Sequence, residues 1–170
     1  MEEEDGGLTQ PGPVDFEDTF KTNFGPMVRA LTVACGDAEV AADCVQDAFS
    51  RAYVRWRRIS KYEDPAGWIR HVATNRMRDH FRRQTRRDRA VDRLAALPTE
   101  DIDAPGPPSE LADLLSTLPG QQRMAVAYFY VEGLSIIETA NAMNLSEGAV
   151  KYHLHAARKS LRGALEEETA

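Results

Sequence analysis

Apolar residues recur at helical spacing along most of this chain, a pattern that predicts amphipathic helices throughout and no sheet. Phe16, Phe20, Phe24, Met27, Val28, Leu31 and Ala34 make the first stripe, with Gly36 as its stop and Asp37 placed to cap the next helix. The second stripe is Val40, Ala41, Cys44, Val45, Ala48, Phe49, Ala52, Tyr53 and Trp56, which predicts one helix over about 38–59. It leaves Asp43, Gln46, Asp47, Ser50 and Arg51 facing outward. Asp64 and Pro65 open a third helix: the Asp side chain accepts from free amide donors, and Pro gives up no hydrogen bond at the first helical position. Trp68, Ile69, Val72, Ala73, His80 and Phe81 form its apolar stripe, opposite a charged face.

The periodicity then stops. Residues 94–109, LAALPTEDIDAPGPPS, are rich in Pro and acid and read as a flexible linker. Residues 1–14 have almost nothing to bury and read as a disordered acidic leader. Helical spacing returns over 110–118 after a Ser109 cap, and Pro119 opens a further helix through Met124, Val126, Ala127, Phe129 and Tyr130 to a stop at Gly133. Ser135 with Glu138 is a capping box that opens a short helix to Met143, and Asn144 suits a left-handed turn. Ser146 caps the last helix, Leu145 and Val150 form a hydrophobic staple, and Ala140 is small where the two helices must approach. Helix, short turn, helix is a helix-turn-helix, with Lys151, Tyr152, His155 and Arg158 turned outward as a groove reader would be. The expected fold is all-α: two small helical domains, 15–93 and 110–166, joined by the 94–109 linker, with a tail at 167–170.

Charge changes this picture more than composition does. The 170 residues carry a formal charge of -6, yet residues 51–93 hold fourteen basic against five acidic side chains, a net +9. That segment, which includes the third helix, reads as a surface for a polyanion. No apolar run nears the length of about 20 residues that spans a bilayer, and the acidic MEEEDGG start is unlike a secretory signal, so a cytoplasmic protein without membrane insertion is expected. Cys35 and Cys44 lack CxxC spacing and read as small core residues. His153 and His155 diverge on a helix, so no metal site is expected, and no cofactor or catalytic set is evident.

Three stretches together, DCVQDAFSRAYVRW, DPAGWIRHVATNRMRDHFRR and LSTLPGQQRMAVAYFYVEGLSIIETANAMNLSEGAVKYHLHAARKSLRGAL, resemble the extracytoplasmic-function sigma factors of the sigma-70 family. The resemblance covers residues 16–165. It implies a non-enzymatic transcription initiation factor that binds core RNA polymerase, through the β′ clamp helices and β flap, and promoter DNA. It places Asp43, Gln46, Asp47, Phe49 and Arg51 on the polymerase surface. It places Trp68, Asn75, Arg76, Arg78, Arg82 and Arg83 at the minus-ten element, where Asn75 matches the amide that reads a flipped base. Ser146, Lys151, Tyr152, His153, His155 and Arg158 fall at the minus-thirty-five element. Tyr152, His153 and Ala156 depart from the family's commonest residues, which leaves the promoter sequence open. An anti-sigma partner and a monomer when free are also implied. The competing readings are a dimeric helix-turn-helix regulator without sigma activity and, far behind it, a nuclease.

Overall fold

A computed structural model describes residues 12–93 and 110–169; the expected linker and most of the leader lie outside the described residues. All regular structure among the described residues is helical. The order is α1 (Phe16–Cys35), α2 (Ala38–Val54), α3 (Trp56–Ile59), α4 (Pro65–Arg93), α5 (Glu110–Ser116), α6 (Gly120–Val126) running into a π-helical turn (Ala127–Val131), α7 (Ile136–Met143) and α8 (Glu147–Thr169). None of these helices is long and apolar enough to cross a membrane.

The boundaries follow from local chemistry. Gly36 ends α1 in the left-handed region (φ 76°), donating its N–H to Thr32 O, and the Asp37 side chain accepts from Glu39 N and Val40 N to start α2. The single helix expected over 38–59 is broken: Arg55 leaves helical geometry, and a separate turn, α3, carries Trp56 to Ile59. Tyr53, expected inside, lies on the flank of the buried stripe of α2 and is 67% exposed.

Helices α1, α2 and α4 pack together, and α6, α7 and α8 form a second module. Their cores are continuous. Leu31, Val45, Phe49, Ile69 and Met77 of the first module and Met124, Tyr128, Met143 and Leu154 of the second belong to one buried apolar cluster. Contact is made by α4 lying against α7, and by α1 lying against α5, α6 and the π turn.

The π turn explains a second departure. Glu132 N donates to Ala127 O five residues back, at 3.0 Å, so the helix gains an extra residue in that turn. The α-helical phase shifts there. Tyr128 is turned fully inward, while Tyr130, expected on the buried stripe, is 54% exposed.

Candidate nucleic-acid interface

Asp64 fixes the start of α4: its Oδ1 accepts from Gly67 N at 2.8 Å, and its carboxylate occupies the space that a Cβ on residue 67 would need. Ile69, Ala73 and Met77 bury one face. By helical spacing Trp68, His71, Asn75, Arg82 and Arg86 then share the opposite stripe. Trp68 is half-buried and packs against the core, whereas Asn75 is exposed. Asn75 Nδ2 lies 3.2 Å from His71 Nε2, a partner that the sequence pattern does not single out. Asn75 also borders a recess of about 220 Å³ lined with Arg51, Val72, Arg76 and Asp79.

The arginines of α4 do not behave alike. Arg76 donates to Asp47 of α2 at 2.6 Å, and the same Asp47 oxygen meets Arg51 at 2.9 Å. Arg82 pairs with Asp79 one turn back, and Arg83 is exposed. Arg78 reaches the second module instead, donating to Met143 O at 2.5 Å and to Gln121 Oε1 at 3.2 Å. Burial lowers its pKa. Arg70, part of the basic run in the sequence, is buried: its side chain is 11% exposed and is held by Glu132 and Asn23.

Beside α4, Asp43 and Gln46 on α2 are exposed, and Asp47 is half-buried between its two arginines. Phe49 lies where its apolar stripe places it and not on the surface that the resemblance implies. It is 2% exposed and is the floor of a groove whose walls include Phe16, Phe20, Tyr53 and Val54. Phe16 stacks edge-on against Phe49, Tyr53 and Trp56, so the groove is a rigid aromatic surface. Val54, at 84% exposed, lies opposite the buried stripe of α2, and Tyr53 lies at its edge, so both present apolar surface to solvent beside the groove.

The helix-turn-helix is built as its sequence dictates. Ser135 Oγ accepts from Glu138 N, and the Glu138 carboxylate accepts from Ser135 N at 2.7 Å, which holds its pKa below the ordinary value. Asn144 takes the left-handed conformation (φ 51°, ψ 49°), and Ser146 Oγ accepts from Ala149 N. Val150, Leu154 and Ala157 are buried, which leaves Lys151, Tyr152, His155 and Arg158 exposed. His153 departs from that group: it is half-buried, and its Nδ1 is enclosed without a hydrogen-bond partner among the described residues. Lys159 and Arg162 extend the exposed basic face; the 3-4-3 spacing from Tyr152 through His155 was the available signal.

The two modules fall where two family models match, Sigma-70 region 2 over residues 22–87 and Sigma-70 region 4 over residues 109–161. The ECF RNA polymerase sigma factor SigF of Caulobacter vibrioides is 33% identical over 139 residues, covering 79% of this chain and 74% of that protein. This chain belongs to the extracytoplasmic-function sigma factors of the sigma-70 family. The RNA polymerase sigma-E factor of Streptomyces coelicolor is 29% identical over 153 residues, covering 89% of this sigma factor and 86% of that one. The fold is shared with the sigma factor RpoE of Bartonella quintana, solved with the anti-sigma factor NepR (TM-score 0.65, 21% identity, 89% of this chain and 97% of that one). It is shared too with CnrH, solved with the cytosolic domain of CnrY (TM-score 0.62, 23% identity, 89% and 88%). In this sigma factor the region 2 match falls within α1 to α4 and the region 4 match runs across α5 to α8.

Proposed function

We propose that this chain binds core RNA polymerase and directs it to promoters by holding a melted minus-ten element on α4 and a duplex minus-thirty-five element on α8. The observation that carries the reading is the setting of Asn75: an exposed amide beside a recess, between arginines, on the most basic helix of the chain. An amide offers a donor and an acceptor side by side and can read the edge of an unstacked base, while Arg82, Arg83 and Arg86 follow phosphates. Trp68 supports the start of that stripe from its half-buried position.

The polymerase surface is read as Asp43, Gln46, Asp47 and Arg51 together with the aromatic groove above Phe49. Polar groups around a rigid apolar floor match the anatomy of a protein interface. On α8, Lys151, Tyr152 and His155 enter the major groove, with Ser146 and Arg158 toward phosphates. One base contact discriminates by about 1 to 3 kcal/mol, so neither module selects a promoter alone and tethering couples them. The anti-sigma factor named with the RpoE structure supports an anti-sigma partner for this chain as well.

The test is co-migration of the purified chain with bacterial core polymerase on size exclusion, followed by open-complex formation with the resulting holoenzyme. Wild type is expected to co-migrate, Asp47→Arg to fail, and Asn75→Ala to co-migrate without melting promoters. A wild-type chain that elutes as a dimer, ignores polymerase and binds a palindrome alone overturns the reading in favour of a dimeric regulator.

A further inference from the structure

The fold alone does not account for Gly148. It is the second residue of α8, exposed and without a positive φ, and a Cβ built there would meet nothing nearer than Ser146 Oγ at 3.9 Å. Alanine would therefore fit, and glycine within a helix costs stability relative to alanine. What glycine provides at this point is open space directly above the backbone.

Two side chains bound that space. On a helix, residue 151 lies about 60° to one side of residue 148 and residue 152 about 40° to the other. Both side chains lean toward the N-terminus, over the turn that holds Gly148. Lys151 is exposed and makes no ion pair among the described residues. Tyr152 is 67% exposed, and its ring stands edge-on to His153, with centroids 5.5 Å apart and planes at 68°. His153 is half-buried with its Nδ1 enclosed, so it supports the Tyr152 ring from the protein side. The result is a notch with a bare backbone floor, one wall that donates hydrogen bonds and one that is aromatic.

Those three surfaces sort the base edges of a major groove. Thymine presents its O4 acceptor beside a 5-methyl group; guanine presents acceptors and no methyl; adenine and cytosine present amino groups that donate. A lysine facing an amino group leaves two donors unpaired, which is costly once water is excluded. A methyl needs an apolar wall and the depth that a Cβ would occupy. Thymine alone answers both walls and the floor.

We propose that the notch at Gly148 is a thymine-reading site for duplex DNA: Lys151 Nζ donates to thymine O4, and the 5-methyl rests on Gly148 against the Tyr152 ring. This deepens the reading of α8 as the minus-thirty-five helix and rests on it. Tyr152 determines specificity, Gly148 admits the methyl, and His153 positions the ring. The order of preference at this base pair is thymine, then guanine, then adenine and cytosine.

The test starts from duplexes that the full chain selects, alone or with core polymerase, from a pool randomised over about ten base pairs, one helical turn. Deoxyuridine then replaces each thymine of the selected site in turn, which removes the methyl and keeps O4. Wild type is expected to lose about fourfold in affinity at one thymine, the worth of one buried methyl. Tyr152→Ser should bind the two duplexes equally. Gly148→Ala should unfold about 2 °C higher than wild type and yet prefer deoxyuridine to thymine, because its Cβ fills the place of the methyl. A selected site with no thymine sensitive to loss of its methyl, or a folded Gly148→Ala that keeps the wild-type preference, overturns the proposal and leaves the reading of α8 standing. If neither the chain nor its holoenzyme selects a duplex, the reading of α8 fails and the notch with it.

Discussion

Arg76 of α4 and Asp47 of α2 meet at 2.6 Å, and the Asp47 oxygen that joins them also receives Arg51. One carboxylate therefore links the surface proposed for polymerase with the one proposed for the minus-ten strand. Both partners of the Arg76 pair are about a third exposed, at 34% and 38%, so the pair contributes at most about 1 kcal/mol to folding. Its value is positional. Asp47→Asn is expected to leave thermal stability nearly unchanged and yet to weaken both core polymerase binding and single-stranded DNA binding, as read by fluorescence anisotropy against each ligand.

The Arg70 and Glu132 pair obeys different rules because it is buried. Burial raises the Glu132 carboxyl above its ordinary value, outweighing Arg70, which lowers it; Glu138 adds a smaller upward push. Tyr128, on the same π turn, is raised as well and remains a neutral phenol. The folded chain therefore binds the Glu132 proton more tightly than the unfolded chain does. That contribution is fully present below the ordinary carboxylate value and is lost as pH rises through the raised one. Glu132→Gln should flatten the stability slope across the weakly acidic range and, by leaving the buried Arg70 guanidinium without its counter-charge, cost about 3 kcal/mol at neutral pH. Arg70→Ala strands a buried carboxylate and should cost about 3 to 5 kcal/mol, measured by urea unfolding.

His71 orients the proposed base reader. With the Asn75 amide nitrogen donating to His71 Nε2, the amide oxygen is left to face solvent and an incoming base. His71→Ala frees the amide to rotate, so discrimination among bases at the trapped position should fall about tenfold or less, while overall affinity for the strand changes little. Competition between oligonucleotides that differ only at that base measures this directly.

The turn between α7 and α8 depends on Asn144, whose φ of 51° is open to Gly but strained for branched side chains. Asn144→Gly should be tolerated within about 0.5 kcal/mol, and Asn144→Val should cost about 1 to 2 kcal/mol. Ser135→Ala removes half of the capping box and should cost about 1 kcal/mol. Thermal unfolding ranks the three.

Exposed Lys151 should act on duplex DNA as a phosphate or base-edge cation. Lys151→Ala is expected to weaken minus-thirty-five duplex binding and to reduce the slope of log affinity against log salt by about 1 if the contact is to phosphate. Titration at several salt concentrations reads that slope.

Caps, turns and the helix-turn-helix are legible in the sequence because each depends on a few neighbouring residues. Asp37, Ser135, Glu138, Asn144 and Ser146 each act within four positions of themselves. The same locality makes the proposed surfaces readable in outline. It fails where tertiary packing decides. Nothing beside Arg70 in sequence signals that Glu132 will neutralise it from 62 positions away, and the basic run around Arg70 and Arg78 argues for solvent. The apolar stripe of α2 already places Phe49 inside, where Phe16, Phe20 and Phe24 from α1 close over it; it is the resemblance that places it on a surface. His153 resembles His155 in composition alone, since the helix turns the two apart. The break at Arg55 splits one expected helix into two, and the extra residue of the π turn shifts the phase of the helix that carries it; a periodic stripe cannot anticipate either.

That extra residue has an evolutionary consequence. A π turn converts to ordinary α-helix when a single residue is deleted, and because the widened turn absorbs the change, the helix on either side keeps its facing. Loss of one codon within 127–131 would therefore close the turn while leaving Glu132 directed at Arg70 and the helix-turn-helix sequence intact. Descendants of this chain can thus shed the extra residue in one deletion event, without any substitution in a DNA-facing or polymerase-facing residue.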